Sequence, residues 1–213
     1  MNSSPPLKPV EAIILAAGRS LRMGEPKLAL PWGKTTVLGA VIQALAEGGA
    51  ALGLQGILVI TGGHQSLIED LLRQLPCPIP LRWAFNPHYE GEMTLSVQEG
   101  LKHTLPNTRA ALITLGDQPQ ILSSTVHSIL TAYQTGAHPL IAPSYQMRRG
   151  HPWLVDRSLW DELLNLSAPQ TLRDFFLSHA EQIHYLVVDT PTILKDLDTP
   201  EDYRREKPSE ETT

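Results

Sequence analysis

The chain alternates short, nearly unbroken apolar runs with segments whose apolar residues recur at helical spacing. Residues 10–17 form such a run, closed by Gly18, as expected of a strand buried on both faces. Over residues 35–47, Val37, Leu38, Val41, Ile42 and Leu45 fall on one helical face, and Gly48-Gly49 is expected to stop the helix. The same reading predicts strands at 56–61, 81–85, 110–115, 140–142, 153–155 and 183–188. Between them it predicts helices at 65–75, 94–103, 123–134, 157–166 and 171–179, with Ser123 or Ser124 as the cap of the third of these.

Strand–helix alternation of this kind implies an α/β fold, a single Rossmann-like domain whose mostly parallel sheet carries helices on both faces. No repeat, low-complexity block or linker divides the chain, which reads as a tail over 1–9, one domain over 10–205 and a polar tail over 206–213. In open sheets of this class ligands gather at the carboxyl ends of the strands. The loops after Ala17, Leu115 and Val188 are therefore expected to converge.

Composition narrows the function classes. With 213 residues, 42% hydrophobic and 18% charged, the chain can bury a proper core and is not a disordered sequence. The net charge is −5 with both signs interspersed, so the basic stripe that a nucleic-acid partner requires is missing. A pocket for a small anion needs only two or three well-placed cations, and that class stays open. The single cysteine, Cys77, excludes an intramolecular disulfide and a multi-thiolate metal site. The histidines show no HxxxH or comparable ligand spacing, so no zinc site is expected. The opening Met-Asn-Ser-Ser-Pro-Pro lacks the basic start and apolar run of a signal peptide, and the first apolar stretch is too short to cross a bilayer. The expectation is a cytoplasmic protein with no membrane partner.

The candidate chemistry begins where the first strand ends. Residues 18–27 hold Gly18, Arg19, Ser20, Arg22, Gly24 and Lys27. Small residues let backbone N–H groups approach phosphate oxygens, and the cations neutralise them. Other loops of this kind fit badly. The pattern GxxxxGKS/T is met at Gly33-Lys34-Thr35 only in its second half, since Leu28 stands where its first glycine belongs. GxGxxG is absent here, and a GxSxG elbow would need glycine where Arg22 stands. An ordinary loop with solvated charges explains the composition equally well.

The order of the residues adds more. Ala16-Ala17-Gly18-x-Ser20-x-Arg22-Met23-Gly24-x-x-Lys27 resembles the signature of the MobA-like NTP transferases, which include the molybdenum cofactor cytidylyltransferases and guanylyltransferases. Asn86-Pro87 with Ser96 and Gly100, Gly116-Asp117-Gln118-Pro119, Gly150-His151-Pro152 and Asp196-Leu197-Asp198-Thr199-Pro200 resemble the cytidylyltransferase branch in the same order, over nearly the whole chain. Two positions bear on the branch. Glu92 stands where these relatives often carry glycine, and Ala17 stands where the guanylyltransferase branch tends to carry glycine.

The resemblance implies the nucleotide-diphospho-sugar transferase type of fold and transfer of a nucleoside monophosphate from an NTP, CTP favoured, to the phosphate of a molybdopterin-type acceptor. It implies Mg²⁺ or Mn²⁺ as cofactor and a molybdoenzyme or its maturation factor as a partner. It assigns nucleotide contacts to Leu15, Ala16, Ala17, Gly18, Ser20, Arg22, Lys27 and Ser96, with Lys27, Arg22 and Asp117 as the catalytic set. Asp117 and Asp198 are the implied metal ligands, with Asp196 a rival for the second place, and His151 and Arg149 are the implied acceptor contacts. From the residues alone, Asp198-Thr199-Pro200 reads equally as a helix start, His151 as a structural histidine and Ser96 as a packing residue. The remaining alternatives are another phosphorylated acceptor such as a sugar phosphate, GTP as donor, and a non-catalytic molybdenum cofactor delivery protein. The last of these would have no use for a carboxylate pair.

Overall fold

The computed structural model describes residues 6–208. Its central strand, β1 (Val10–Ala16), is buried because its residues alternate between two cores. Val10, Ala12, Ile14 and Ala16 face one and Ile13 faces the other. The chain continues through β2 (Pro31–Trp32), β3 (Thr35–Thr36), α1 (Val37–Gly49), β4 (Leu54–Thr61), α2 (Gln65–Gln74), β5 (Leu81–Phe85), α3 (Met93–Lys102) and β6 (Ala110–Leu115). It ends with α4 (Ser123–Thr135), β7 (Leu140–Tyr145), β8 (Arg148–Arg149), β9 (Trp153–Asp156), α5 (Trp160–Asn165), α6 (Leu172–Ser178), β10 (Ile183–Val187) and α7 (Pro200–Glu206).

Helices cover both faces of the sheet. α1, α2 and α4 bury Leu38, Leu45, Ile68, Leu72, Val126 and Ile129 on one side, while α3, α5 and α6 bury Val97, Leu101, Trp160, Leu163, Phe175 and Phe176 on the other. The strand order is β10-β7-β9-β6-β1-β4-β5, with β8 beside β7. The pairs β1–β4, β1–β6, β4–β5 and β7–β10 are parallel, and β9 runs antiparallel between β6 and β7. From β1 the chain steps outward through β4 and β5, then returns with β6 on the other side of β1. The topological switch point therefore lies between β1 and β6, where this class of sheet binds ligands.

The departures from the expected elements have local causes. Gly48-Gly49 does not stop α1, which runs through both residues. A Cβ on Gly48 would collide with Ser123 and Val126, and one on Gly49 with Leu54, so these glycines permit close packing. The helix begins after its cap Thr36, whose hydroxyl accepts from the Gly39 amide at 3.1 Å. β7 extends past Pro143, beyond the end of its ladder with β9. Residues 1–5 and 209–213 of the expected tails lie outside the described residues. Within those tails, Lys8 Nζ donates to the carbonyls of Tyr133 (2.8 Å) and Gly136 (3.0 Å), and Glu206 pairs with Lys195 at 2.7 Å.

Candidate active site

The loop leaving β1 folds back on itself. Ser20 (φ 52°) and Gly24 (φ 74°) take left-handed conformations, and the amides of Met23 and Gly24 donate to the Ser20 carbonyl at 3.0 and 3.3 Å. The Ser20 hydroxyl accepts from the Lys27 amide at 3.3 Å, which sets where the lysine leaves the loop. A Cβ added at Gly18 would meet nothing within 4 Å, so the backbone there is open to a ligand.

Two neighbouring loops brace this one. The Gly116 amide donates to the Leu15 carbonyl and the Gly63 amide to the Ala17 carbonyl, both at 3.0 Å. His64 Nε2 donates to the Arg19 carbonyl at 3.0 Å. At Gly62 a Cβ would sit 2.5 Å from the Ala17 oxygen, a contact that only glycine avoids.

A cleft of about 700 Å³ opens over the switch point, lined by residues 15–23, Lys27, residues 89–91, Met93, Ser96, Asp117, Asp196 and Asp198. A larger groove of about 1050 Å³ lies between α1 and α2, where Trp32, Ile42, Leu71 and Leu75 make it largely apolar. It lies away from the sheet's carboxyl edge, so the chemistry belongs to the smaller cleft.

On the cleft floor the Lys27 ammonium is hydrogen-bonded to Asp117 Oδ2, lies 3.0 Å from the Leu197 carbonyl and 3.7 Å from Asp198 Oδ1. Arg22 Nη2 meets Asp198 Oδ1 at 2.9 Å from the solvent side. Asp196 enters the same cleft, and its Oδ1 accepts from Gln118 Nε2. Burial pushes the Asp196 carboxyl up, and the charges of Asp117 and Asp198 push it further.

Asp117 and Asp198 both approach one ammonium, so they are close enough to share a divalent ion. Mg²⁺ usually takes one or two carboxylates together with substrate phosphates. Among the described residues no group of three or more His, Cys, Asp or Glu side chains is arranged to hold a metal, so phosphate or water oxygens would complete the shell. The donor set fits a hard, oxygen-liking ion.

The cleft thus gathers Leu15, Ala16, Ala17, Gly18, Ser20, Arg22, Lys27, Ser96, Asp117 and Asp198 from the expected set. Ser96 Oγ accepts from the buried Asn86 side-chain amide at 3.0 Å. Arg149 and His151 do not line the cleft. Arg149 pairs with Ser144 near the carboxyl end of β7, which β9 separates from β6, the His151 amide donates to the Ile193 carbonyl at 3.0 Å, and the Arg149 guanidinium rests 3.6 Å over the Phe176 ring. Burial, reinforced by Arg149, lowers the His151 pKa to about 4, so its ring is neutral near pH 7 and any positive charge offered there comes from the arginines.

One expected convergence holds only at the far end of its loop, where Asp196 and Asp198 reach the cleft. The loop directly after Val188 starts from the edge strand β10 and lies apart from the cleft. The chain returns from that edge before it delivers Asp196 and Asp198. Sequence reasoning also missed the wall formed by Tyr89, Glu90 and Gly91 and the bracing Gly62-Gly63-His64. A signal for the latter was present: two glycines directly after a buried strand at the same sheet edge.

Comparison with known proteins bears on this geometry. The family described as MobA-like NTP transferase domain matches residues 12–183. The chain belongs to the MobA-like NTP transferases. It is a nucleotidyltransferase, and the switch-point cleft is where this fold class binds its ligand. Molybdenum cofactor cytidylyltransferase of Escherichia coli (strain K12) is 28% identical over 196 residues, spanning 91% of this chain and 93% of that protein. A probable molybdenum cofactor guanylyltransferase of Bacillus cytotoxicus is 29% identical over 124 residues, 58% of this chain and 56% of that one. The crystal structure of Rv0371c from Mycobacterium tuberculosis H37Rv superposes with a TM-score of 0.78 at 28% identity, covering 94% of this chain and 98% of that one. Rv0371c has also been crystallised in complex with manganese; that structure matches with a TM-score of 0.73 at 25% identity over 94% of this chain and 98% of that one. Among the described residues of this transferase no helix is long and apolar enough to cross a membrane.

Proposed function

We propose that this transferase moves CMP from CTP to the phosphate of a molybdopterin-type acceptor and releases pyrophosphate. The observation that carries the reading is the Lys27 ammonium held between Asp117 and Asp198 on the floor of a cleft whose upper wall is the open backbone at Gly18. An acceptor phosphate oxygen attacks the α-phosphorus in line, the new O–P bond forms, and the bond from the α-phosphorus to the oxygen bridging to the β-phosphorus breaks. Lys27 and Arg22 place fixed positive charge where negative charge grows on the α-oxygens and on the departing pyrophosphate. Backbone amides around Ala17 and Gly18 orient the triphosphate, which is most of what such a displacement needs. Mg²⁺ or Mn²⁺ bound by Asp117 and Asp198 would neutralise the phosphates. Arg149 and the neutral His151 would take the acceptor, and the product would pass to a molybdoenzyme or its maturation factor.

The near full-length similarity to the Escherichia coli cytidylyltransferase supports this acceptor and this base. A second reading keeps the cleft and uses GTP, favoured by the partial similarity to the Bacillus protein. Pyrophosphate release by purified protein with Mg²⁺, molybdopterin and either CTP or GTP tests both. Release with a sugar phosphate but not with molybdopterin would overturn the acceptor, and absence of release with every acceptor would overturn catalysis.

A further inference from the structure

The segment closing the cleft carries two aspartates one residue apart, and they are held in different ways. Asp198 faces the phosphate loop, 2.9 Å from Arg22 Nη2 and 3.7 Å from Lys27 Nζ. Asp196 lines the same cleft, but its Oδ1 accepts from Gln118 Nε2 and, unlike Asp198, it makes no ion pair with Lys27 or Arg22. Between them Leu197 is fully buried in the core. Its amide donates to the Asp117 carbonyl at 3.1 Å and its carbonyl accepts from Lys27 at 3.0 Å, so the segment cannot slide to exchange the two carboxylates.

We propose that Gln118 is a positioning residue that withholds Asp196 from the cation pair and leaves Asp198 as the partner of Asp117, a role that rests on the metal-dependent reading above. Gln118 is 1% exposed, and its Oε1 is buried with no hydrogen-bond partner. A buried amide with one face unsatisfied is costly, and an apolar side chain of similar shape would avoid that cost. What the apolar residue could not supply is the donor to Asp196. The amide cannot be turned over either, since its oxygen would then face a carboxylate oxygen. Without that donor, Asp196 sits in a cleft with two other aspartates, and the nearest positive charge is the one Asp117 and Asp198 share. A third carboxylate would bind the ion more tightly through charge count while disturbing the pair's geometry.

The test compares the parent, Gln118→Leu, Asp196→Asn and the double variant. Mn²⁺ affinity is read by electron paramagnetic resonance in the presence of a non-hydrolysable CTP analogue, and kcat is measured at saturating metal. Asp196→Asn keeps an oxygen for the Gln118 donor and should bind Mn²⁺ within about threefold of the parent. Gln118→Leu should bind Mn²⁺ about three- to tenfold more tightly through the added charge and lose about tenfold or more in kcat as the ligand geometry shifts. The double variant should return the affinity to the parental value. A purely structural role would weaken binding and turnover together, with no restoration in the double variant. Should Gln118→Leu fail to fold, Gln118→Met removes the donor with an unbranched side chain of similar length, with the same expected rise in affinity. Parental or weaker Mn²⁺ affinity in the folded Gln118 variant overturns the proposal alone. A parent that binds no Mn²⁺ overturns the metal-dependent reading and the proposal with it.

Discussion

The amide of Leu197 donates to the carbonyl of Asp117 at 3.1 Å, and this backbone contact joins the end of β6 to a segment that the chain reaches only after crossing four further sheet strands. Leu197 is fully buried, so the core fixes the height at which its two neighbours meet the cleft. Packing of one leucine thereby sets the spacing of the carboxylates that face Lys27.

Lys27→Ala is expected to lower kcat by on the order of 3 kcal/mol, about a hundredfold, because a fixed donor aimed at developing charge is lost. Pyrophosphate release gives the rate, and a thermal melt shows whether the fold is kept. A folded variant with parental turnover removes Lys27 from the chemistry.

Asp117→Asn should abolish metal-dependent turnover, and Asp198→Asn should reduce it by about tenfold or more, since each amide offers the ion a neutral oxygen in place of a charged one. Asp117 is the more enclosed of the two, with a side chain 17% exposed against 38% for Asp198, and its loss should be the more severe. Titrating rate against Mg²⁺ separates a raised metal requirement from a lost chemical step. Parental metal curves in both variants would put the ion elsewhere.

Much of this was legible in the chain because the signals were local. Continuous apolar runs located β1, β4 and β6, and helical periodicity located α1 to α4. Glycines and cations after β1 marked the loop that lines the cleft. The rest depended on long-range arrangement. Nothing local distinguishes Gly48-Gly49, which let α1 pack closely, from glycines that would end a helix. The antiparallel β9 has the same apolar pattern as a parallel strand. Asp196 and Asp198 are equivalent by spacing, and long-range partners separate their environments: Gln118 for the first, Arg22 and Lys27 for the second.

Gly62→Ala should raise KM for the nucleotide, because the new methyl would sit 2.5 Å from the Ala17 oxygen and 2.8 Å from the Ala17 Cα, and so push the phosphate loop. A displacement near 1 Å at a positioned group costs about a hundredfold in the limit. Gly63→Ala meets Arg19 Cγ at 2.6 Å and its backbone Cα only at 3.2 Å, so rotation of the side chain relieves most of the clash and the variant should act more weakly. Equal KM values for the two variants would deny that Gly62 sets the loop.

The stability of the protein should carry a signature of His151 at acid pH. Burial and Arg149 lower its pKa from 6.5 to about 4 in the folded chain. A base that is harder to protonate when folded takes up protons first in the unfolded chain. Its contribution is therefore complete above pH 6.5 and is lost as the pH falls toward about 4. Urea denaturation of the parent and of His151→Gln across that window should show the parent losing about 1–2 kcal/mol more, discounted for the intermediate exposure of the residue as a whole. Parallel losses in the two proteins would show that the ring is not held neutral.

Preference for CTP over GTP is the expected base selectivity, and Ala17 is the residue that motivates it. Its carbonyl is fixed by the Gly63 amide at 3.0 Å, so the residue cannot retreat when a larger base enters. A methyl here narrows the cleft relative to the glycine that the guanylyltransferase branch tends to carry. One methyl is worth only about 1–3 kcal/mol, or about ten- to two-hundredfold in discrimination. Ala17 is also 6% exposed, so little of that methyl reaches the cleft and the lower end of the range is expected. Hydrogen bonds to the base edge would have to supply any larger ratio. Competition of CTP, GTP and ATP for one acceptor gives the ratio of kcat/KM values. Ala17→Gly should narrow the ratio of CTP to GTP by several-fold if the methyl contributes. A parental preference for GTP would overturn the base assignment while leaving the transferase chemistry at Lys27, Asp117 and Asp198 untouched.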